Sequence, residues 1–136
     1  MTEGRIRLLL ADDHAMFRAG LCSLLATQPD LDVVGEARTG EEAANMAAAL
    51  RPDVVLMDIA MPGSGIDATR AICGADARVH TLCLSAHDDP AYFFAALDAG
   101  AVGYVLKEAG PPELFDAIRA AHRGEAYFSP ALRACS

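Results

Sequence analysis

Apolar and polar positions alternate along the chain in short runs and helical stripes. Residues 6–11 form an apolar run, interrupted by Arg7 and closed by Asp12-Asp13, which predicts a buried strand. Phe17, Leu21, Leu24 and Leu25 then recur at i, i+4, i+7 and i+8, the stripe of an amphipathic helix that Gln28-Pro29-Asp30 ends. Residues 31–37 predict a second strand, weakened by Gly35. Thr39, with Glu42 three residues on, forms a capping box ahead of an Ala-rich helix that runs to Leu50 and stops before Pro52. Residues 53–59 predict a third strand, apolar on both faces except for Asp58 near its end. Pro62, Gly63 and Gly65 make a loop, and a short helix is expected over 66–73. A fourth strand spans 79–85. Pro90 suits the first turn of a helix that stops at Gly100. Residues 102–106 form the fifth strand, followed by Lys107. Pro111-Pro112 opens the last helix, with Leu114, Ile118 and Ala121 on one face and a stop at Gly124. Residues 125–136 show no clear element and read as the start of a linker.

Five strands apolar on both faces, linked by five helices, imply a parallel sheet covered on both sides: a doubly wound α/β fold in one domain. The chain has 136 residues, 53% of them hydrophobic and 22% charged, enough apolar material for one substantial core. Its formal net charge is -8, which lacks the electrostatic footprint of a nucleic-acid binder. The four cysteines, at 22, 73, 83 and 135, form no C-x-x-C pair and have no His at zinc-ligand spacing. They read as free thiols in a reducing compartment. The N-terminus does not resemble a signal peptide, and no apolar run approaches the roughly 20 residues of a membrane helix. The expectation is a soluble cytoplasmic domain.

Polar residues fall at telling places on this scaffold. Asp12 and Asp13 follow the first strand, while Asp58, Ser85 and Lys107 mark the ends of the third, fourth and fifth. In a parallel sheet these points share the carboxyl edge, where ligands bind. A lone Asp at a strand end is commonly a cap or turn former; the convergence of the whole set is what points to chemistry. Three carboxylates on one edge repel each other, and a divalent cation removes the conflict. Hard carboxylate oxygens suit Mg²⁺. A partly protein-ligated Mg²⁺ beside the chain's single lysine is a phosphoryl-binding arrangement, and Asp58 can then serve as nucleophile.

Two other readings fit parts of this pattern. Gly63-Ser64-Gly65-Ile66-Asp67-Ala68 matches a dinucleotide-binding G-x-G-x-x-A. It follows the third strand rather than the first, however, and Asp58 at its base would repel a pyrophosphate. An Mg²⁺-dependent phosphatase with an Asp nucleophile would carry D-x-D on its first strand, where this chain has Asp-Asp.

The runs Ala11-Asp12-Asp13-His14, Met57-Asp58-Ile59-Ala60-Met61-Pro62-Gly63, Ser85-Ala86 and Gly103-Tyr104-Val105-Leu106-Lys107 together resemble the receiver domain of two-component response regulators. The likeness covers about residues 5–125. Details such as ADDH, VVGEA, RPDVVLMD and GYVLKEA look most like the NarL/FixJ subfamily, whose receivers precede a LuxR-type helix-turn-helix domain.

This resemblance implies a flavodoxin-like (βα)5 fold with a five-stranded sheet. It makes residues 1–124 the receiver and residues 125–136 the start of a linker toward a DNA-binding domain outside this chain. Asp58 would accept the phosphoryl group. Asp12, Asp13, Asp58 and the backbone carbonyl of Ala60 would hold Mg²⁺. Lys107 and Ser85 would contact the phosphoryl oxygens, and Tyr104 would be the switch aromatic. The implied donor is a sensor histidine kinase. A homodimer is an open expectation, a free-standing receiver acting on other proteins is the alternative, and no membrane is involved. The domain would modify and slowly dephosphorylate itself rather than turn over as an ordinary enzyme.

One departure stands out. Most relatives read M-P-G-x-D-G after the phosphoacceptor, whereas Met61-Pro62-Gly63-Ser64-Gly65 is one residue shorter and lacks that Asp. His14 is expected in the first helix turn. His87, two residues beyond Ser85, is either a modulator of acyl-phosphate hydrolysis or a solvated loop residue. Tyr92 and Phe94 lie off the inward stripe of their helix.

Overall fold

The computed structural model describes residues 4–61, 64–86 and 90–130. Six strands and five helices alternate along it: β1 (Ile6–Ala11), α1 (Ala15–Leu25), β2 (Leu31–Ala37), α2 (Gly40–Leu50), β3 (Val54–Asp58), α3 (Gly65–Ala75), β4 (His80–Ser85), α4 (Pro90–Ala99), β5 (Gly103–Leu106), α5 (Pro111–His122) and β6 (Tyr127–Phe128). All strand pairings are parallel, in the order β2-β1-β3-β4-β5-β6. The doubly wound flavodoxin-like fold is therefore as expected, with one addition. Residues 127–128, expected to carry no element, form a sixth strand on the β5 edge.

Strand alternation sorts the core into two layers. Leu9, Ala11, Val55, Met57, Cys83 and Tyr104 face α2, α3 and α4, where Ala43, Ala47, Ala68, Ile72, Phe93 and Ala96 meet them. Leu8, Leu10, Val54, Leu56, Leu82, Leu84 and Val105 face α1 and α5, where they pack on Leu21, Leu25, Leu114 and Ile118. Small residues on α2 and α3 let both helices lie close to the sheet.

The caps follow local chemistry. Thr39 Oγ1 accepts from Glu42 N at 3.1 Å, as the capping box predicts, while Glu42 Oε1 accepts from Arg38 N, one residue before the cap. Arg51, in the left-handed region at φ 48°, ends α2 before Pro52. α3 begins at Gly65 rather than Ile66 and runs to Ala75. Gly65 is required by packing: a Cβ there would lie 2.3 Å from the Asp58 carbonyl oxygen and 2.6 Å from Ile59 Cα. Helix α3 thus starts directly against the end of β3. The strand order reverses between β1 and β3, which puts the topological switch point between Asp12 and Asp58.

Candidate functional site

Asp12 follows β1 and Asp58 is the last residue of β3, and burial takes them to 2% and 4% exposure. Two such carboxylates need partners. Lys107 Nζ supplies a common one, donating to Asp12 Oδ2 at 2.9 Å and to Asp58 Oδ2 at 3.1 Å. The remaining oxygens are held by backbone. His14 N donates to Asp12 Oδ1 at 2.7 Å, and Ala60 N donates to Asp58 Oδ1 at 3.0 Å. Asp13 is exposed. One carboxylate oxygen from each of Asp12, Asp13 and Asp58 lies within 4.8 Å of the other two.

The lysine is fixed in turn. Its backbone N–H donates to the Ser85 carbonyl at 2.7 Å, and the Phe17 ring of α1 covers its ammonium at 4.4 Å from the ring centroid. Burial works against the charged form of Lys107, but the hydrogen bonds and charges of Asp12 and Asp58 outweigh it and hold its pKa above the ordinary lysine value.

Ser85 is buried at the end of β4, where it pairs with Leu106. Asp58 pairs with Leu84, one residue earlier, so the serine sits just beyond the level of the carboxylate. Tyr104 is fully buried, two residues before Leu106 on the same strand face. Its ring meets Phe93 edge-on, with centroids 5.7 Å apart. The structure therefore brings Asp12, Asp13, Asp58 and Lys107 into one cluster, with Ser85 beside it and Tyr104 behind.

Other sequence expectations find simpler places. His14 is the exposed N-cap of α1, acting through its backbone. His87 and the Pro62-Gly63 part of the shortened loop lie outside the described residues. Ser64, at φ 55°, caps α3 by accepting from Asp67 N at 3.2 Å. Cys22, Cys73 and Cys83 are free thiols, and burial pushes Cys83 up to about 12. Tyr92 and Phe94 are exposed on α4.

Two contributors escaped the sequence reading. Phe17 belongs to the apolar stripe of α1, and nothing in its spacing points to Lys107. Arg18 holds the turn after β1: its Nη1 donates to the Asp12 carbonyl at 2.6 Å while its Nε pairs with Glu36 at 2.9 Å. An Arg one turn after an Asp pair was the available signal.

Residues 8–119 match the family model for the response regulator receiver domain. This chain belongs to that family. The transcriptional regulatory protein LiaR of Bacillus subtilis is 46% identical over 123 residues, covering 88% of this chain and 57% of LiaR. The receiver-family chain thus spans well under two thirds of that relative. A two-component response regulator of the LuxR family from Aurantimonas superposes with a TM-score of 0.91 at 37% identity, over 96% of this chain and 94% of that one. The isolated receiver domain of RcsB from Salmonella enterica, solved in the presence of phosphomimetic BeF3-, gives 0.86 at 26% identity, over 96% and 97%. The relatives carry the names of transcriptional regulatory proteins and response regulators. Among the described residues, no helix is long and apolar enough to cross a membrane.

Proposed function

We propose that this receiver is phosphorylated on Asp58 in an Mg²⁺-dependent reaction. The observation that carries the reading is Lys107 bridging the buried carboxylates of Asp12 and Asp58, with Asp13 beside them. A lysine between two carboxylates marks a place where positive charge is needed. The donor set consists of hard oxygens without sulfur or imidazole, which fits Mg²⁺ and suits softer metals less well. Asp12, Asp13, Asp58 and the Ala60 carbonyl would hold the ion. When bound, it neutralises the equatorial oxygens of the transferring phosphoryl group.

The chain's own residues do the rest. A carboxylate oxygen of Asp58 forms the new O–P bond as the bond from phosphorus to the donor breaks. Lys107 takes a phosphoryl oxygen in exchange for one of its present carboxylates, and the Ser85 hydroxyl donates to another. The buried position of Asp58 limits water access to the acyl phosphate. Ser85 and Tyr104 share one face of adjacent strands, so movement of the serine opens space for the tyrosine ring and carries the change toward α4 and β5.

The donor is a phosphohistidine of a sensor histidine kinase, and the setting is the cytoplasm. In the longer protein the output is transcriptional, through a LuxR-type DNA-binding domain; the receiver with its net charge of -8 does not itself grip DNA. The RcsB receiver studied with BeF3- supports an analogue test. Fluorine NMR of a beryllofluoride titration should show a bound signal with wild-type protein and Mg²⁺, and none with Asp58→Asn. A bound signal in Asp58→Asn equal to wild type would contradict the assignment.

A further inference from the structure

The last described stretch of the chain is tied to the site by more than chain continuity. β6 lies on the free edge of β5, with Tyr127 N donating to the Val102 carbonyl at 3.3 Å and Ser129 N to the Tyr104 carbonyl at 3.1 Å. Ser129 is 3% exposed, and its hydroxyl accepts from Leu106 N at 3.1 Å while facing Glu113 Oε2 of α5 at 3.4 Å. Gly103 makes the approach possible: a Cβ there would lie 2.6 Å from the Tyr127 carbonyl oxygen. The side chains repeat the connection. Phe128 meets Phe93 edge-on at 5.2 Å, and Phe93 meets Tyr104 edge-on at 5.7 Å.

Two serines therefore hold the end of β5 from opposite sides. The Ser85 carbonyl takes the N–H of Lys107 at 2.7 Å, and the Ser129 hydroxyl takes the N–H of the preceding residue, Leu106. A shift of Ser85 toward a phosphoryl group would pull on the Leu106–Lys107 peptide, next to the Val105–Leu106 peptide that Ser129 holds. A shift of the Tyr104 ring moves Phe93 against Phe128.

We infer that residues 127–129 form a strap that positions the end of β5, and that its hold is coupled to the phosphorylation state of Asp58. This rests on the reading of Asp58 as phosphoacceptor. A two-residue strand is a marginal element, so a small change at β5 is enough to tighten or release it. Coupling between two sites is reciprocal: a phosphoryl analogue on Asp58 changes the strap, and a weakened strap changes the affinity for the analogue by the same factor.

The test uses the whole 136-residue chain. Amide exchange is read residue by residue by NMR, with and without beryllofluoride and Mg²⁺. The exchange rates of the Leu106, Tyr127 and Ser129 amides should change by about 5-fold or more on adding the analogue. Ser129→Ala should shift the beryllofluoride affinity by a comparable factor. Phe128→Leu, which keeps an apolar side chain and the backbone bonds but removes the ring that meets Phe93, should shift it in the same direction and guards against a folding defect in the first variant. Analogue binding with all strap amides unchanged, and with both variants matching wild type in affinity, would overturn the strap and leave the Asp58 reading intact. Failure of the analogue to bind wild type would overturn both.

Discussion

The ammonium of Lys107 lies 3.1 Å from Asp58 Oδ2, reaching from the end of β5 past β4 to the end of β3. The same ammonium holds Asp12 at 2.9 Å, so one cation stabilises two buried carboxylates. Lys107→Met keeps the stem that packs near Phe17 and removes the charge. In chelator this variant should lose about 1.5–3 kcal/mol of stability, the scale of a charged hydrogen bond left unmade. Millimolar Mg²⁺ should restore most of the loss, because the carboxylates regain a cation, while modification of Asp58 slows. Thermal melts in chelator and in Mg²⁺ check this. Equal melting of variant and wild type in chelator would show that the lysine is not what holds the pair.

Gly65 makes a contrasting prediction. Its missing Cβ is what lets α3 begin against the Asp58 and Ile59 backbone. Gly65→Ala must push helix and strand apart, at a cost of about 1–3 kcal/mol. The displaced atoms belong to Asp58, so Mg²⁺ affinity should fall with stability. Gly20, within α1, has open space where a Cβ would go. Gly20→Ala should therefore stabilise the domain by up to about 1 kcal/mol and leave Mg²⁺ binding alone. Denaturant unfolding with a parallel Mg²⁺ titration separates the two effects.

The amino-terminal end of β4, away from the carboxylate cluster, is expected to carry a pH dependence unrelated to phosphoryl chemistry. His80 Nδ1 is buried without a hydrogen-bond partner. Burial, and then the charge of His122, hold the His80 pKa below the ordinary value, against a smaller opposing pull from Asp53. The folded state therefore binds its proton less readily than the unfolded chain. Stability is full above the ordinary histidine value near 6.5 and falls as pH drops below it, levelling only under the depressed folded value. His80→Leu should flatten that acid limb below about pH 6.5. An unchanged slope in the variant would assign the acid sensitivity elsewhere.

Much of the site was legible because its residues break a simple pattern. Asp58, Ser85 and Lys107 each end an apolar run, and Asp12-Asp13 ends another, so a parallel sheet had to collect them on one edge. Thr39 and Glu42 announced α2 by local hydrogen-bond chemistry alone. The misses have tertiary causes. β6 is two residues long and shows no periodicity, and its anchor is a serine hydroxyl bonded to a backbone amide far along the chain. Phe17 does belong to the α1 stripe, and its second contact, with Lys107, exists only once β5 has been placed. Gly65 begins α3 for the sake of the neighbouring strand, which helix patterning does not register.

The most direct test of the central claim is mass spectrometry of the intact chain and its peptides after treatment with a small acyl-phosphate donor, with Mg²⁺ and with chelator. The carboxylate cluster presents an incoming donor with three negative charges, of which Lys107 offsets one. A single added phosphoryl group on Asp58 is expected with Mg²⁺, little or none in chelator, and none in Asp58→Asn under either condition. Phosphate found on Ser85, His14 or any residue other than Asp58, or equal labelling of Asp58 in chelator, would contradict the account.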